Sequence, residues 1–205
     1  MLKLIKKDFV FAKWVIVFAL LYSAAIPIIL KFDSDQKYFF ADILIPLVLG
    51  TIPLSKILLM EDTKSGLIFQ KTLPYSSAVR VAARFVFAAT LIALSELVVA
   101  LSKTYIFKTA DFPVSLHSAV LYGCGFMVYI AVLLALFYWR GYMASQGALC
   151  LLIILVFVLH TLFGKEKLGQ LISHLPSSWL ILAIALLFIT AMCYFCSVLE
   201  KRRNL

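Results

Sequence analysis

The sequence predicts an all-α, polytopic membrane protein with six transmembrane helices, and three observations carry that reading. Six long apolar stretches alternate with short polar joints between Trp14 and Leu199. Hydrophobic residues make up 64% of the 205 and charged ones 14%, with a mean hydropathy of +1.04, which is more apolar surface than a soluble domain of this size has core to hold. The stretches are continuously apolar rather than alternating, which excludes barrel strands and leaves helices as the spanning element.

A span needs roughly 20 apolar residues to cross a hydrocarbon layer about 30 Å thick. The six are expected at 13–30, 40–60, 81–101, 115–139, 143–163 and 179–199. Ahead of the first, residues 1–12 read as an amphipathic interfacial helix, with Leu2, Ile5 and Phe9 on one face, Lys3, Lys6, Lys7 and Lys13 on the other, and Trp14 at headgroup level. The same residues also suit a plain positive-inside anchor. Ser23-Ala24-Ala25 offers small residues for signal cleavage, but the length of the run, Pro27 within it and five later spans favour retention. In the second span Pro46 and Pro53, with Gly50 between them, predict a broken or kinked helix, and kinked helices often line moving cavities. Gly123, Cys124 and Gly125 in the fourth span permit close helix contact.

Basic residues near span ends set orientation. With the N-terminus inside, the inner side carries Lys3, Lys6, Lys7, Lys13, Lys56, Lys64, Lys71, Arg80, Arg84, Arg140, Lys201, Arg202 and Arg203, against only Lys31, Lys37, Lys103, Lys108, Lys165 and Lys167 outside. Both termini are therefore expected in the cytoplasm of a multi-pass cell-membrane protein. The net charge of +9 is then a topology signal plus attraction to anionic lipid, and nucleic-acid binding is not expected. His117, His160 and His174 fall at or beyond the outer ends and form no metal set. Cys124, Cys150, Cys193 and Cys196 all lie inside spans, where Cys193-x-x-Cys196 reads as small packing residues rather than a redox or zinc pair.

The longest inner joint, 61–80, reads EDTKSGLIFQKTLPYSSAVR. Glu61 and Asp62 suit a helix N-terminus, Lys64 follows, Leu67, Ile68, Phe69 and Gln70 supply side chains, and Lys71 suits a helix C-terminus. Gly66 weakens this helix to about two turns. Leu73-Pro74 breaks the chain, and Ser76-Ser77 can cap the next helix, on which Arg80 and Arg84 stand one turn apart. On topology alone a solvated connector is the plainer reading. Glu96 is the one carboxylate well inside a span, about 18 Å along the helix from Arg84. It either lines a translocation path and meets a cationic substrate, or is a protonated or paired structural group, with Lys103 two turns outward as its partner.

The chain has no G-x-x-x-x-G-K-[ST] loop to cradle phosphates, no His-Glu-x-x-His, no paired Glu-Glu and no Gly-x-Ser-x-Gly elbow, so no catalytic residue is expected in it. The order of a basic N-terminal helix, two spans, Glu61–Gln70 with Lys71-Thr72-Leu73-Pro74-Tyr75-Ser76-Ser77 and Arg80, four further spans and the tail Glu200-Lys201-Arg202-Arg203 resembles the small permease subunits of the ABC-2 type transporter family. That resemblance implies one membrane half of an ATP-driven exporter in a bacterial cytoplasmic membrane, working as a homo- or heterodimer with a second permease copy or homologue. ATP and magnesium would then reside on separate cytosolic ABC ATPase subunits. It also implies that Glu61, Asp62, Lys64, Gly66, Leu67, Phe69 and Gln70 form the coupling helix gripped by the ATPase; Glu96, Pro46 and Pro53 are the path candidates that their own chemistry offers, beside the structural reading of each. Amphipathic or antimicrobial peptides, drugs or lipid-like molecules are the cargo range. The alternative is a membrane assembly or immunity protein that binds a partner without transport, and a lipid-modifying enzyme is disfavoured because no polar cluster marks one membrane depth.

The orientation is testable in whole cells. A membrane-impermeant thiol reagent should label Gln36→Cys and Gln170→Cys and leave Ser65→Cys unlabelled. Labelling at residue 65 from outside would invert the topology.

Overall fold

The structure, a computed structural model, describes residues 1–31, 37–72, 74–108, 112–151, 154 and 178–203. Every regular element among them is helical, and five stretches are long and apolar enough to cross a bilayer: Leu2–Ile29, Asp42–Glu61, Ser77–Phe107, His117–Arg140 and Leu180–Arg202. The expected span 143–163 and the joint after it lie largely outside the described residues.

Helix α1 (Leu2–Lys31) is continuous, so the stretch read as an interfacial helix and the first span form one rod of about 45 Å. Its inward face is Leu4, Asp8, Ala12, Ile16, Ala19, Ser23 and Ile26, spaced three or four apart. Leu2 is 80% and Phe9 36% exposed, so both lie outside that inward face. Lipid wets apolar side chains as readily as protein does, so the packed face of such a helix follows fit and polar partners rather than hydropathy.

The second span is assembled from α2 (Lys37–Pro46), a π-helical turn (Leu47–Thr51) and α3 (Ile52–Glu61). The π turn lies between Pro46 and Pro53. Proline lacks an amide hydrogen and its ring crowds the carbonyl four residues back, and widening the helix there relieves the crowding. The Thr51 hydroxyl donates to the Leu47 carbonyl within the turn. Gly50 is buried here, and a methyl group in its place would overlap the Ile92 side chain on α5, so the glycine lets that side chain pack directly on the turn.

Helix α4 (Lys64–Thr72) follows after two residues. Thr63, not Glu61, opens it: the Thr63 hydroxyl accepts from the Gly66 amide at 3.1 Å and donates to the Met60 carbonyl at 2.7 Å. A Cβ on Gly66 would run into that same Met60 carbonyl, which gives the glycine a packing role where helix propensity alone marks it as a weakness. Pro74 and Tyr75 form the bend, and Ser76 caps α5 (Ser77–Leu101) by accepting from the Val79 amide at 3.4 Å.

Helix α5 is the hub of the bundle, packing against α1, α2, the first π turn, α6 and α8. It runs into a second π turn (Ser102–Phe107) that Lys108 ends in the left-handed conformation, φ 53°. Helix α6 (Phe112–Arg140) returns, Gly141 turns the chain at φ 88°, and α7 covers 142–151. Helix α8 (Ser178–Arg203) packs on α6 and α5. The core lies between α5 and α6, where Phe87, Leu91, Ile130, Leu133, Leu134 and Phe137 are fully buried.

The α3–α4 corner has no room for a side chain at its glycine. Gly66→Ala should lower stability by about 1–3 kcal/mol, the usual cost of forcing atoms into a filled site. Thermal unfolding of the purified variant in detergent checks this.

Candidate functional site

The N-terminus of α1, the ends of α3, α6 and α8 and the start of α5 meet at one end of the bundle, where six charged side chains converge and four of them, Asp8, Glu61, Arg84 and Glu200, are buried. Arg84, 5% exposed, pairs with Asp8 of α1 through Nη1 and grips Glu61 of α3 with two nitrogens, Nη2 toward Oε1 and Nε donating to Oε2 at 3.2 Å. Lys7 stands 3.6 Å from the Asp8 carboxylate and 3.9 Å from that of Glu61. Two cations and two carboxylates balance, which is what allows charge to be buried at all. One turn before Arg84, Arg80 donates to Glu200 of α8 at 2.7 Å and to the Tyr75 carbonyl at 2.8 Å. The two arginines of α5 thus tie α1, α3 and α8 to it.

Asp62 turns the other way. Its carboxylate accepts from the Tyr142 amide at 3.0 Å, at the positive start of α7, and Gly141 has no Cβ to obstruct it. Two residues expected at the head of the coupling helix therefore serve as tertiary anchors before α4 begins. Lys64 and Ile68 of α4 are exposed, and Gly66 sits at the corner. Leu67, Phe69 and Gln70 lie within α4, and their side chains are outside the described residues.

Toward the far end, Lys103 pairs with Asp42 at 2.8 Å and lies 5.6 Å over the Tyr122 ring. It is Asp42, rather than Glu96, that Lys103 meets. Glu96 is 6% exposed, and among the described residues neither of its carboxylate oxygens has a hydrogen-bond partner. Its side chain lies against Gly123 of α6, where a Cβ would come 3.1 Å from the Glu96 Cγ. Glu96 lines a cavity of about 640 Å³ between α5, α6 and α8, otherwise walled by apolar residues and Cys124. Pro46 and Pro53 do not line it.

Asp8 and Asp42 are buried ion-pair partners absent from the sequence-based expectations, and Glu200 entered them only as part of the tail. For Asp8 a signal existed: it is the one acid in a lysine-rich stretch, four residues from both Leu4 and Ala12. Among the described residues no set of three or more His, Cys, Asp or Glu side chains is placed to hold a metal. His117 and Cys150 are exposed and Cys196 is packed in the core, while His160 and His174 lie outside the described residues.

Removing the shared cation exposes how much rests on it. Arg84→Met should cost about 3–5 kcal/mol, because Asp8 and Glu61 stay buried with too little positive charge. Arg84→Lys should recover only part of the loss, since an ammonium cannot make the two-nitrogen grip on Glu61. Thermal midpoints of the three proteins in one detergent give the comparison.

A sequence-family model described as ABC-2 family transporter protein matches residues 3–200. No curated protein and no solved structure matches the chain.

Proposed function

This chain belongs to the ABC-2 transporter family, and from that premise we propose that it is the membrane-spanning permease subunit of an ATP-driven exporter, working as a dimer and driven by separate cytosolic ATPase subunits that hold ATP and magnesium. The observation that carries the reading is how α4 is mounted. A helix of nine residues is joined to α3 by a two-residue corner and to α5 by a capped bend, and both spans are clamped together by the Arg84 grip on Glu61. A force on α4 then reaches two spans as one lever, with α1 attached through Asp8.

Orientation supports the same scheme. Lys3, Lys6, Lys7, Arg80, Arg84, Arg140, Lys201 and Arg202 all gather at the end that carries α4, which by the positive-inside rule faces the cytoplasm with both termini. The exposed Lys64 and Ile68 then face the compartment of the ATPase, Ile68 with 65% of its surface open. The cargo range that fits this role is an amphipathic peptide, a drug or a lipid-like molecule.

Docking is separable from folding because Ile68 touches solvent while Glu61 and Asp62 hold the fold. Ile68→Glu should leave the thermal midpoint unchanged and cut copurification of the ATPase at least tenfold, the effect of a charge in the buried part of an interface. Undiminished copurification by this variant would count against docking at α4 and leave a non-transporting binding protein as the better description.

A further inference from the structure

We infer that the cavity between α5, α6 and α8 is a binding site for a lipophilic monocation, with the Glu96 carboxylate as its counter-ion. As an assignment of cargo class this rests on the permease reading; as a binding site it does not.

Three observations converge on it. The cavity, about 640 Å³, is of the size that holds a drug-like molecule, and Phe85, Ala93, Met127, Leu186 and Ile189 give it apolar walls. Glu96 is the only charged residue among the described residues that line it, it is 94% buried by its 6% exposure, and neither oxygen is hydrogen-bonded among the described residues. The nearby cation that would neutralise it, Lys103, is engaged by Asp42 at 2.8 Å. A carboxylate at membrane depth is costly unless it faces a bundle interior or a partner, and here it faces an apolar cleft that opens to the helix surface at Val86, Leu97, Val120 and Leu186.

The candidate occupants differ in what they do for Glu96. An acyl chain fills the volume and leaves the carboxylate alone. An anion is repelled by it. A small metal ion needs more oxygen ligands than one side chain gives. An apolar body carrying a single positive charge matches both the walls and the carboxylate, and Gly123 leaves the space that the Glu96 side chain occupies beside the cleft.

The test uses the full chain in nanodiscs of zwitterionic phosphatidylcholine, with equilibrium dialysis of radiolabelled tetraphenylphosphonium and empty nanodiscs as the partition blank. Tetraphenylborate, the same shape with the opposite charge, is the matched control. One saturable tetraphenylphosphonium site per chain is expected, with none for tetraphenylborate. Glu96→Gln should weaken binding at least tenfold while its thermal midpoint stays at or above that of the parent, since it removes a buried unpaired charge. Ala93→Trp, which fills the cavity and keeps the carboxylate, should abolish binding equally and decides the matter if Glu96→Gln fails to fold. Non-saturable uptake by the parent, equal binding of tetraphenylborate, or full affinity in either folded variant overturns the proposal, leaving lipid or a second copy of the chain as the occupant. ATPase copurification is read separately, so loss of the permease reading and loss of this site are distinct results.

Discussion

Everything at the α4 end of the bundle depends on one guanidinium. Arg84 is fixed on α5, and its three guanidinium nitrogens are shared between a carboxylate from α1 and another from α3. Burying such a cluster yields little net stability over an apolar core, but loss of any one member is heavily penalised because the rest stay buried and unbalanced. The interaction therefore acts as a constraint: the three helices can sit in one register, the one that brings Asp8 and Glu61 to Arg84. Apolar packing between membrane helices is not selective in this way, since lipid competes with protein for the same surfaces.

The constraint also explains how a small helix at the surface can matter to the membrane interior. Helix α4 is tied to α3 by Thr63 and Gly66 and to α5 by the bend at Pro74, and the cluster closes that loop through space. Farther along α5, beyond Gly50 and Ile92, comes Glu96, facing α6 and the cavity shared with α8. One helix thus carries both the anchor and a carboxylate without a hydrogen-bond partner among the described residues. The second span is different in kind: its π turn between two prolines is a place where the rod can bend without breaking a regular hydrogen-bond ladder.

Five of the six expected spans have a counterpart among the described helices, legible in the sequence because the bilayer imposes a length and those helices fall where the apolar runs are. The break between Pro46 and Pro53 and the cap at Ser76 were legible too, since each follows from backbone chemistry local to those residues. The polar partners were not. Glu61 and Asp62 carry the acidic bias of a helix start, yet Arg84 and the Tyr142 amide claim them from 23 and 80 residues away. Lys103 lies within two turns of Glu96 in sequence, but Asp42 takes it from another helix. The inward face of α1 was hidden for a physical reason: when both faces of a helix are apolar, hydropathy cannot say which one meets protein.

The direct measurement is of whether the cluster makes α1 and α5 move as one body. Nitroxide labels at the exposed Val10 of α1, beside the cluster, and Leu101 at the far end of α5 report on the two helices, and pulsed dipolar spectroscopy reads their separation in the ATPase-bound complex. The parent protein should give a single narrow distance that is the same without nucleotide and in the ATP-trapped state, and Asp8→Asn, which removes the α1 partner of Arg84, should broaden or split it. A distance that changes with nucleotide in the parent, or one left untouched by Asp8→Asn, would contradict a rigid lever built on Arg84.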